Sequence, residues 1–455
     1  MLFQFCLYGF LKNQRYFEPF FMLALIEKEL SFFWIGVLYS CRSLTLNLSE
    51  VFSGAIADQW GRRRSMMLSF VAYILSFLCF GFSSSVPALC LAMVLYGIGD
   101  SFRTGTHKAI IFHWLKLEGR AEERTRVYGT TRSWSKYGSA VAAILGAVIL
   151  LSLRSYEALF LVAIVPCFAN LINFWSYPSE LESEVTSERI PAGDSISSAP
   201  ARNTPPQSPS FRSRISKPFS ALGSTMSALR SSAHLRQLVV ESMTWNGTFE
   251  SVKDYLQPAL LALVTLMVVQ DNSDTTAPAS ILTVAGTYAL LNIASGLVSK
   301  QAGNFQNWVG SAAKASGRIW IGTLTIYLGL MLSCLASHWF ELLSFVAVAC
   351  LVLLLILQNL WRPILVSRFD EASKSEFGAT LLSVESQSQR LTAFFLAPLL
   401  GFAVDLASQS ATQMSSSSVS TFGLFPLGCA GLLMSATMLL VQKGQETRVT
   451  QEQKN

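Results

Sequence analysis

The sequence predicts an all-α membrane protein in which twelve transmembrane helices form two pseudo-symmetric six-helix bundles. Three observations predict this fold class: an apolar composition, twelve apolar runs long enough to cross a bilayer, and a motif that recurs in both halves of the chain. Of the 455 residues, 51% are hydrophobic and 14% are charged, whereas soluble domains carry about 25% charged residues. This composition argues against a water-soluble protein. The net charge of +6 is spread over short loops, which argues against nucleic-acid binding.

Each predicted span contains about 20 predominantly apolar residues, the length that a helix needs to cross the hydrocarbon core. The first and seventh spans are the least apolar, because polar residues interrupt both. An even number of spans places both chain termini on the same side of the membrane. The twelve predicted spans are residues 1–26, 32–57, 65–83, 87–112, 127–151, 156–177, 237–269, 280–299, 317–336, 339–361, 378–403 and 418–441.

The positions of Lys and Arg predict the orientation of these spans. Loops with an excess of basic residues face the cytoplasm, and here they alternate with loops whose basic residues are only Lys28 and Arg154. We therefore expect both termini to lie in the cytoplasm. We also expect a multi-pass protein of the plasma (inner) membrane that acts as a monomer. The basic residues assigned to cytoplasmic loops are Arg62 to Arg64, the cluster from Lys116 to Arg126, Lys300, Lys314, Arg318, Arg362, Arg368 and Lys374.

A segment rich in Ser and Pro, residues 179–232, separates the two sets of six spans. Such a composition buries too little apolar surface to offset the entropy lost on ordering, so a largely disordered cytoplasmic linker is predicted. The predicted domains are therefore an N-terminal bundle (1–178), this linker, a C-terminal bundle (233–442) and a cytoplasmic tail (443–455).

The most specific motif of the chain lies between the second and third spans. Gly54, Asp58, Gly61, Arg62 and Arg63 form the pattern G-x-x-x-D-x-x-G-R-R. Gly61 permits a sharp reversal of the chain, and Asp58 can meet the positive N-terminus of a neighbouring helix. The pattern and its position closely resemble the loop 2–3 signature of the major facilitator superfamily. An ordinary charged loop between two spans is the alternative interpretation.

A fainter repeat links the two halves. The pattern Tyr-x-[Glu/Gln]-Pro at residues 16–19 recurs at 255–258, and the pair Ser-Gly at 53–54 recurs at a similar offset at 295–296. Halves related by an axis along the membrane normal are the arrangement that the resemblance to the superfamily implies.

The resemblance also implies a function. It predicts a secondary transporter whose two bundles rock about a site at the middle of the membrane, with the first, fourth, seventh and tenth spans lining the cavity. In this view Asp58, Arg62 and Arg63 form a cytoplasmic gate, whose ionic contacts are made when that side is closed. The partners implied are a small-molecule substrate, protons if transport is proton-coupled, and the lipid bilayer.

Ionisable residues near the middle of the spans are the candidate functional residues, because a charge at that depth costs about 3 kcal/mol unless it is paired or faces water. Glu18 and Asp100 are the best placed of them for proton coupling. On continuous helices, Arg15 would share a face with Glu18, and Asp100 with Arg103 and His107; ion pairs that only stabilise the bundle are the alternative. The predicted residues of the substrate or proton path are Arg15, Glu18, Arg42, Asp100, Arg103, Asp254 and Arg390.

Two observations narrow the class of transporter. Gly129 and Gly138 have the spacing that opens the fifth-span signature of drug antiporters, but the glycines and proline that should follow are missing. This departure disfavours drug efflux, and we expect Gly138 to allow close helix packing instead. Mixed charges within the spans fit a polar organic solute, and the arginines favour an anionic one.

The sequence predicts no enzyme activity, no cofactor and no metal site. It contains no Walker-type phosphate loop, no HExxH, no GxSxG and no CxxC, and its four histidines lack ligand spacing. A non-transporting membrane receptor or scaffold with the same fold is the alternative function, although such a protein gains little from charges at the middle of the membrane.

Overall fold

The computed structural model describes residues 1–181, 232–268, 276–372, 378–414 and 421–452. Within these ranges the chain forms α-helices, short 3-10 turns and loops, and no β-strand. Nine helical segments of this described part are long and apolar enough to cross a membrane. The predicted all-helical membrane fold is thereby confirmed. The greater part of the predicted linker, residues 182–231, lies outside the described residues.

The helices of the N-terminal half follow the predicted spans to within a few residues at most ends. They are α1 (Leu2–Leu11), α2 (Phe21–Glu27), α3 (Phe32–Trp60), α4 (Arg62–Phe82), α5 (Val86–Arg103), α6 (Thr106–Leu117), α7 (Arg124–Leu153), α8 (Tyr156–Val162) and α9 (Ile164–Trp175).

The helices described after residue 232 follow the remaining spans in the same way. They are α10 (Ala233–Val252), α11 (Leu256–Val268), α12 (Pro278–Lys300), α13 (Ala302–Val309), α14 (Ala312–Ala336), α15 (Leu343–Ala372), α16 (Gly378–Met414) and α17 (Phe425–Glu452).

Three predicted spans are absent from the nine apolar segments of the described chain. These are the first (α1 and α2), the second (α3) and the seventh (α10 and α11). Helix α3 is long enough, with 29 residues, but it carries several polar side chains. The other two are each split by a short 3-10 turn, at Glu18–Phe20 and at Lys253–Tyr255. In chain order, the described helices correspond to the twelve predicted spans.

The break in the first span corrects one expectation from the sequence. Helix α1 ends at Leu11, and turns and irregular chain lead to the 3-10 turn that contains Pro19. Proline fixes φ and has no N–H to donate, so it favours such a turn over a continuous helix. Arg15 and Glu18 therefore do not share a helix face as predicted.

The fourth span is broken as well. Helix α5 ends at Arg103, and α6 begins after Gly105, whose φ is 82°. Asp100 and Arg103 keep the predicted spacing of three residues on α5. His107 lies on the next helix, so the predicted stripe of Asp100, Arg103 and His107 on one helix is wrong.

Helix α15 corrects the assignment of two arginines to a cytoplasmic loop. It continues to Ala372, beyond the predicted end at residue 361, so Arg362 and Arg368 are helical residues. Each pairs with a carboxylate of another helix, Arg368 with Glu241 and Arg362 with Glu385. Because these charges are paired, the helix can extend through them.

Gly61 makes the sharp reversal that the sequence predicts. It is the single residue between α3 and α4, and its φ of 100° and ψ of 137° lie in a region that a side chain disfavours. The second and third spans are therefore joined without a true loop.

Glycines bring helices close together within and between the halves. A Cβ on Gly138 of α7 would overlap the carbonyl oxygen of Phe10 in α1, which confirms the predicted role in close packing. Between the halves, α3 packs along α16, where a Cβ on Gly401 would overlap the carbonyl oxygen of Phe32. Helix α7 also packs on α12, and α2 contacts α11, so several helix pairs join the two halves.

Candidate functional site

Asp100 on α5 lies at the centre of a buried ionic cluster in the N-terminal half. Its Oδ2 accepts a hydrogen bond from Nη2 of Arg42 at 2.6 Å. Its Oδ1 accepts from Nη2 of Arg103 at 3.1 Å and from Nη2 of Arg15 at 3.2 Å. The Asp100 side chain is 6% exposed, so four predicted site residues meet at one buried carboxylate.

Two tyrosines complete this cluster. The hydroxyl of Tyr73 donates to Oδ1 of Asp100 at 2.5 Å and accepts from Nε of Arg103 at 2.9 Å. The Tyr96 ring lies 4.6 Å from the guanidinium carbon of Arg42 and 5.0 Å from that of Arg15, at cation–π distances. A proton on Asp100 would leave three guanidinium groups without their carboxylate. The cluster is therefore better suited to hold charges in place than to exchange protons.

A cavity of about 290 Å³ lies between the two halves. Arg15, Glu18 and Lys136 line it from the N-terminal half, and Lys253 and Asp254 from the C-terminal half. Both signs of charge therefore face the same space. The polar residues that also line it are Asn13, Ser139, Tyr288, Asn292, Ser295 and Asn359.

The charged residues of this central cavity differ in how they are paired. Nζ of Lys253 lies 2.7 Å from Oε2 of Glu250, which is on the last turn of α10. Glu18 is exposed, whereas Asp254 is half-buried. Of the two carboxylates predicted for proton coupling, Glu18 is thus the one that faces the cavity, and Asp100 is the one held by arginines.

Hydrogen bonds join the halves at the end predicted to face outward. Oε1 of Gln257 accepts from the backbone N–H of Met22 at 2.8 Å, and its Nε2 donates to the carbonyl of Glu18 at 3.3 Å. Gln257 and Glu18 occupy equivalent positions of the repeated Tyr-x-[Glu/Gln]-Pro pattern. The two copies of the motif therefore meet at the interface between the halves.

Asp405 of α16 makes a second contact between the halves at this end. Its two carboxylate oxygens accept from the backbone N–H groups of Phe32 and Phe33, at 2.9 and 2.8 Å. These N–H groups begin α3 and have no partner within their own helix. A residue of one half thus caps a helix of the other.

The predicted gate motif lies at the opposite end. Nη1 of Arg63 donates to the carbonyl of Tyr177 at 2.8 Å, a contact within the N-terminal half. Gly54 and Asp58 lie on α3, but their surroundings are outside the described part of the structure. Near the motif, Nη2 of Arg390 on α16 lies 2.5 Å from Oε2 of Glu50 on α3, and the two form an ion pair. The structure thus places Arg390 in a bridge between the halves.

Two buried carboxylates in the C-terminal half were missed by the sequence reasoning. Glu241 is fully buried and accepts from Arg368 at 2.8 Å, from Nε1 of Trp320 at 3.1 Å and from the hydroxyl of Ser316. Glu385 is also fully buried and pairs with Arg362, Ser242 and Gln389.

A signal for these two residues was present in the sequence. Glu241 and Glu385 fall inside the predicted spans 237–269 and 378–403, near their starts. Neither residue lies near the middle of its span, which was the criterion for the candidate functional residues. Their partners, Arg362 and Arg368, were assigned to a loop, so the sequence offered no pair.

Comparison with known proteins identifies the family. A model of the Major Facilitator Superfamily matches residues 3–380 of this chain. Over 90 residues, the chain is 33% identical to an uncharacterized MFS-type transporter, YxaM of Bacillus subtilis, which covers 20% of this chain and 23% of that protein. Over 162 residues, it is 27% identical to a probable vesicular acetylcholine transporter-B of Danio rerio, which covers 36% of this chain and 32% of that protein. The matched segments span 23% and 32% of the length of these curated relatives.

Solved structures resemble this fold over nearly its whole length. A bacterial homolog to the human lysosomal transporter Spinster, in an inward-facing and occupied conformation, has a TM-score of 0.67 at 13% identity; the match covers 97% of this chain and 96% of that one. The nucleoside transporter NupG has a TM-score of 0.63 at 13% identity, covering 97% of this chain and 95% of its own. At such identities the likeness establishes the fold alone.

Proposed function

The chain belongs to the major facilitator superfamily, and from this premise we propose that it is a secondary active transporter that moves a small polar solute by alternating access. The observation that carries the proposal is the central cavity, to which both halves contribute charged side chains. A rocking motion of the halves would expose such a site to each side of the membrane in turn.

The charges of the cavity support a polar organic solute with an anionic group. Arg15, Lys136 and Lys253 would bind that group, and a charged pair in a partly desolvated cavity gives both affinity and orientation. Glu18 and Asp254 would bind a cationic group of the solute or a proton. An apolar cation is the less suitable substrate for this lining.

Contacts join the halves at both ends: Gln257 and Asp405 at the end predicted to face outward, and Arg390 with Glu50 near the gate motif. We propose the predicted orientation, with both termini in the cytoplasm, and a plasma-membrane location. We also propose that residues 179–232 form a cytoplasmic linker between the two bundles and that the protein acts as a monomer.

Proton coupling is proposed to depend on Glu18. The Glu18→Gln variant should retain exchange of labelled solute across liposomes, because exchange needs no net proton transfer. It should lose accumulation driven by a pH gradient. The assay needs a known solute, which a thermal-shift screen of the purified protein against metabolite classes can identify. A ligand that prefers the native state raises the melting temperature.

The outcomes of this test separate two functions. Equal gradient-driven accumulation by wild type and Glu18→Gln would contradict coupling at this residue. The absence of both exchange and accumulation for every metabolite class that stabilises the protein would contradict transport and favour a receptor.

A gate at Asp58, Arg62 and Arg63 is the second part of the proposal. The Asp58→Ala variant should be expressed and folded as the wild type is, but its transport rate should fall about tenfold. The reason is that the closed state of the cytoplasmic side loses an ionic contact. An unchanged rate in reconstituted protein would contradict the gate, and Glu118→Ala in a cytoplasmic loop is a matched control for charge removal.

A further inference from the structure

A second cavity lies in the N-terminal half, beside the central one. It has a volume of about 470 Å³, and its walls come from α1, the junction of α5 and α6, and α7. Asn13, Lys136 and Ser139 line both cavities, so the two are neighbours. The volume lies within the range of about 300–1,000 Å³ that small-molecule sites occupy. We refer to it as the side cavity.

The described lining of the side cavity carries positive charge and no Asp or Glu. Arg103 is compensated by Asp100 at 3.1 Å. Arg132 and Lys136 are exposed on α7 and have no carboxylate partner within the described chain. The cationic and imidazole side chains of the lining are Lys12, Arg103, His107, Lys108, Arg132 and Lys136.

His107 is an independent indication that the side cavity holds a ligand. Its side chain lines the cavity, the residue is 8% exposed, and its Nε2 has no hydrogen-bond partner among the described residues. The ring lies against Tyr8, with 3.8 Å between the ring centroids, so its position is fixed. A buried polar atom without a partner is costly, and a protonated Nε2 would donate to an anion.

The backbone adds to the positive potential of this space. Thr104 and Gly105 line the cavity where α6 begins, and α6 is 12 residues long. The N-terminus of a helix carries a partial positive charge and attracts anions. This contribution has the same sign as that of the side chains around it.

We propose that the side cavity binds a small, multiply charged anion that bears phosphate or several carboxylates. A multivalent anion can contact several of the unpaired cations at once, which a monovalent ion cannot do. The inference goes beyond the proposed function: Lys136 lines both cavities, whereas Lys108 and Arg132 line only the side cavity. The anion is either a soluble molecule or the headgroup of an anionic lipid.

The test uses the full chain, purified in detergent with phosphatidylcholine, at low ionic strength. Pyrophosphate and citrate are titrated by calorimetry, with sodium chloride and sodium acetate as monovalent controls. We expect saturable binding of the polyanions that raises the melting temperature and weakens as salt is added.

The double variant Arg132→Gln/Lys136→Gln should weaken polyanion binding at least tenfold, because it removes two exposed cations of the lining. Its matched control is Arg124→Gln/Arg126→Gln, which removes two charges from α7 outside the cavity and should bind as the wild type does. Melting temperatures without ligand verify that both variants fold. Lys108→Gln, on a different helix and outside the lining of the central cavity, should also weaken binding several-fold, which keeps the inference testable if the α7 variant is poorly folded.

Comparison of bilayer nanodiscs distinguishes the two sources of the anion. If the natural ligand is a lipid headgroup, pyrophosphate should bind several-fold more weakly in phosphatidylglycerol discs than in phosphatidylcholine discs, and Arg132→Gln/Lys136→Gln should abolish that difference. If it is a soluble anion, the two kinds of disc should give similar affinities once the local pyrophosphate concentration is corrected for the surface potential of the phosphatidylglycerol disc.

Two results would overturn the inference. One is the absence of saturable polyanion binding in detergent and in phosphatidylcholine discs. The other is equal affinity for wild type and Arg132→Gln/Lys136→Gln. Loss of transport with intact pyrophosphate binding would count against the proposed function and leave the side cavity supported.

Discussion

At the scale of single residues, the cluster around Asp100 separates two roles that look alike in the sequence. Asp100 and Glu18 are both carboxylates within predicted spans. In the structure, three guanidinium groups and a tyrosine surround Asp100, whereas Glu18 faces the central cavity. The first residue is therefore expected to stabilise the bundle, and the second to serve transport.

Substitution of the two carboxylates by their amides tests this difference. Asp100→Asn should lower the free energy of unfolding by about 3–5 kcal/mol, because removal of one partner leaves buried charges uncompensated. Glu18→Gln should change it by less than about 0.5 kcal/mol, as for an exposed residue. Thermal unfolding of the purified variants measures both. Equal melting temperatures for the two variants would contradict the distinction.

The sequence singled out Asp100 and its three arginines but predicted only part of their pairing. The spacing of three residues identified Arg103 as a neighbour of Asp100. Arg15 and Arg42 are 85 and 58 positions away from Asp100. Their approach depends on how α3, α5 and the irregular chain after α1 pack together, and no local pattern encodes it. For the same reason, the pairs Arg368–Glu241 and Arg362–Glu385 could not be foreseen.

At the scale of helices, apolar runs predicted order and approximate ends well, because both depend on local composition. They did not predict the end of α15. This helix continues through two arginines because carboxylates on other helices neutralise their charges. Pro19 indicated a weak point in the first span. The break before α6 at Gly105 was not predicted, since one glycine within a run does not by itself end a helix.

The contact between α3 and α16 provides a prediction at this scale. Gly401→Ala should lower the free energy of unfolding by about 1–3 kcal/mol, because the added methyl group meets the backbone at Phe32, which cannot move aside cheaply. Its control is Gly322→Ala on α14, where a Cβ meets nothing within 4 Å. There, alanine should leave stability unchanged or raise it by up to about 1 kcal/mol. The same shift in melting temperature at both positions would contradict the packing argument.

At the scale of the whole molecule, contacts join the two halves at both ends, and alternating access would have to break those of each end in turn. Asp405 is the most distinctive of these, since it caps a helix whose start is 373 positions earlier in the chain. A cap of this kind is worth about 1 kcal/mol. It therefore biases the population of states, which a ligand or a mutation can shift.

Asp405→Ala should favour the state that is open at the outward end. A cysteine in place of Glu18 reports on that state through its rate of labelling by an impermeant thiol reagent added from that side of proteoliposomes. Loss of the cap should raise this rate about fivefold, the factor that corresponds to 1 kcal/mol. Glu341→Ala, which removes an exposed charge at the same end, should leave the rate unchanged. A rate that does not respond to Asp405→Ala would show that the cap has no influence on opening.

The tight packing of α1 against α7 has one more consequence. All walls of the side cavity lie between residues 8 and 139, within one half of the protein, whereas the central cavity is shared by both halves. If the halves move as rigid bodies, turnover reshapes only the shared space. An anion in the side cavity would then move together with the N-terminal half, and its residence time would be independent of the transport cycle. It would serve as a built-in counter-charge to the neighbouring lysines and arginines in every state.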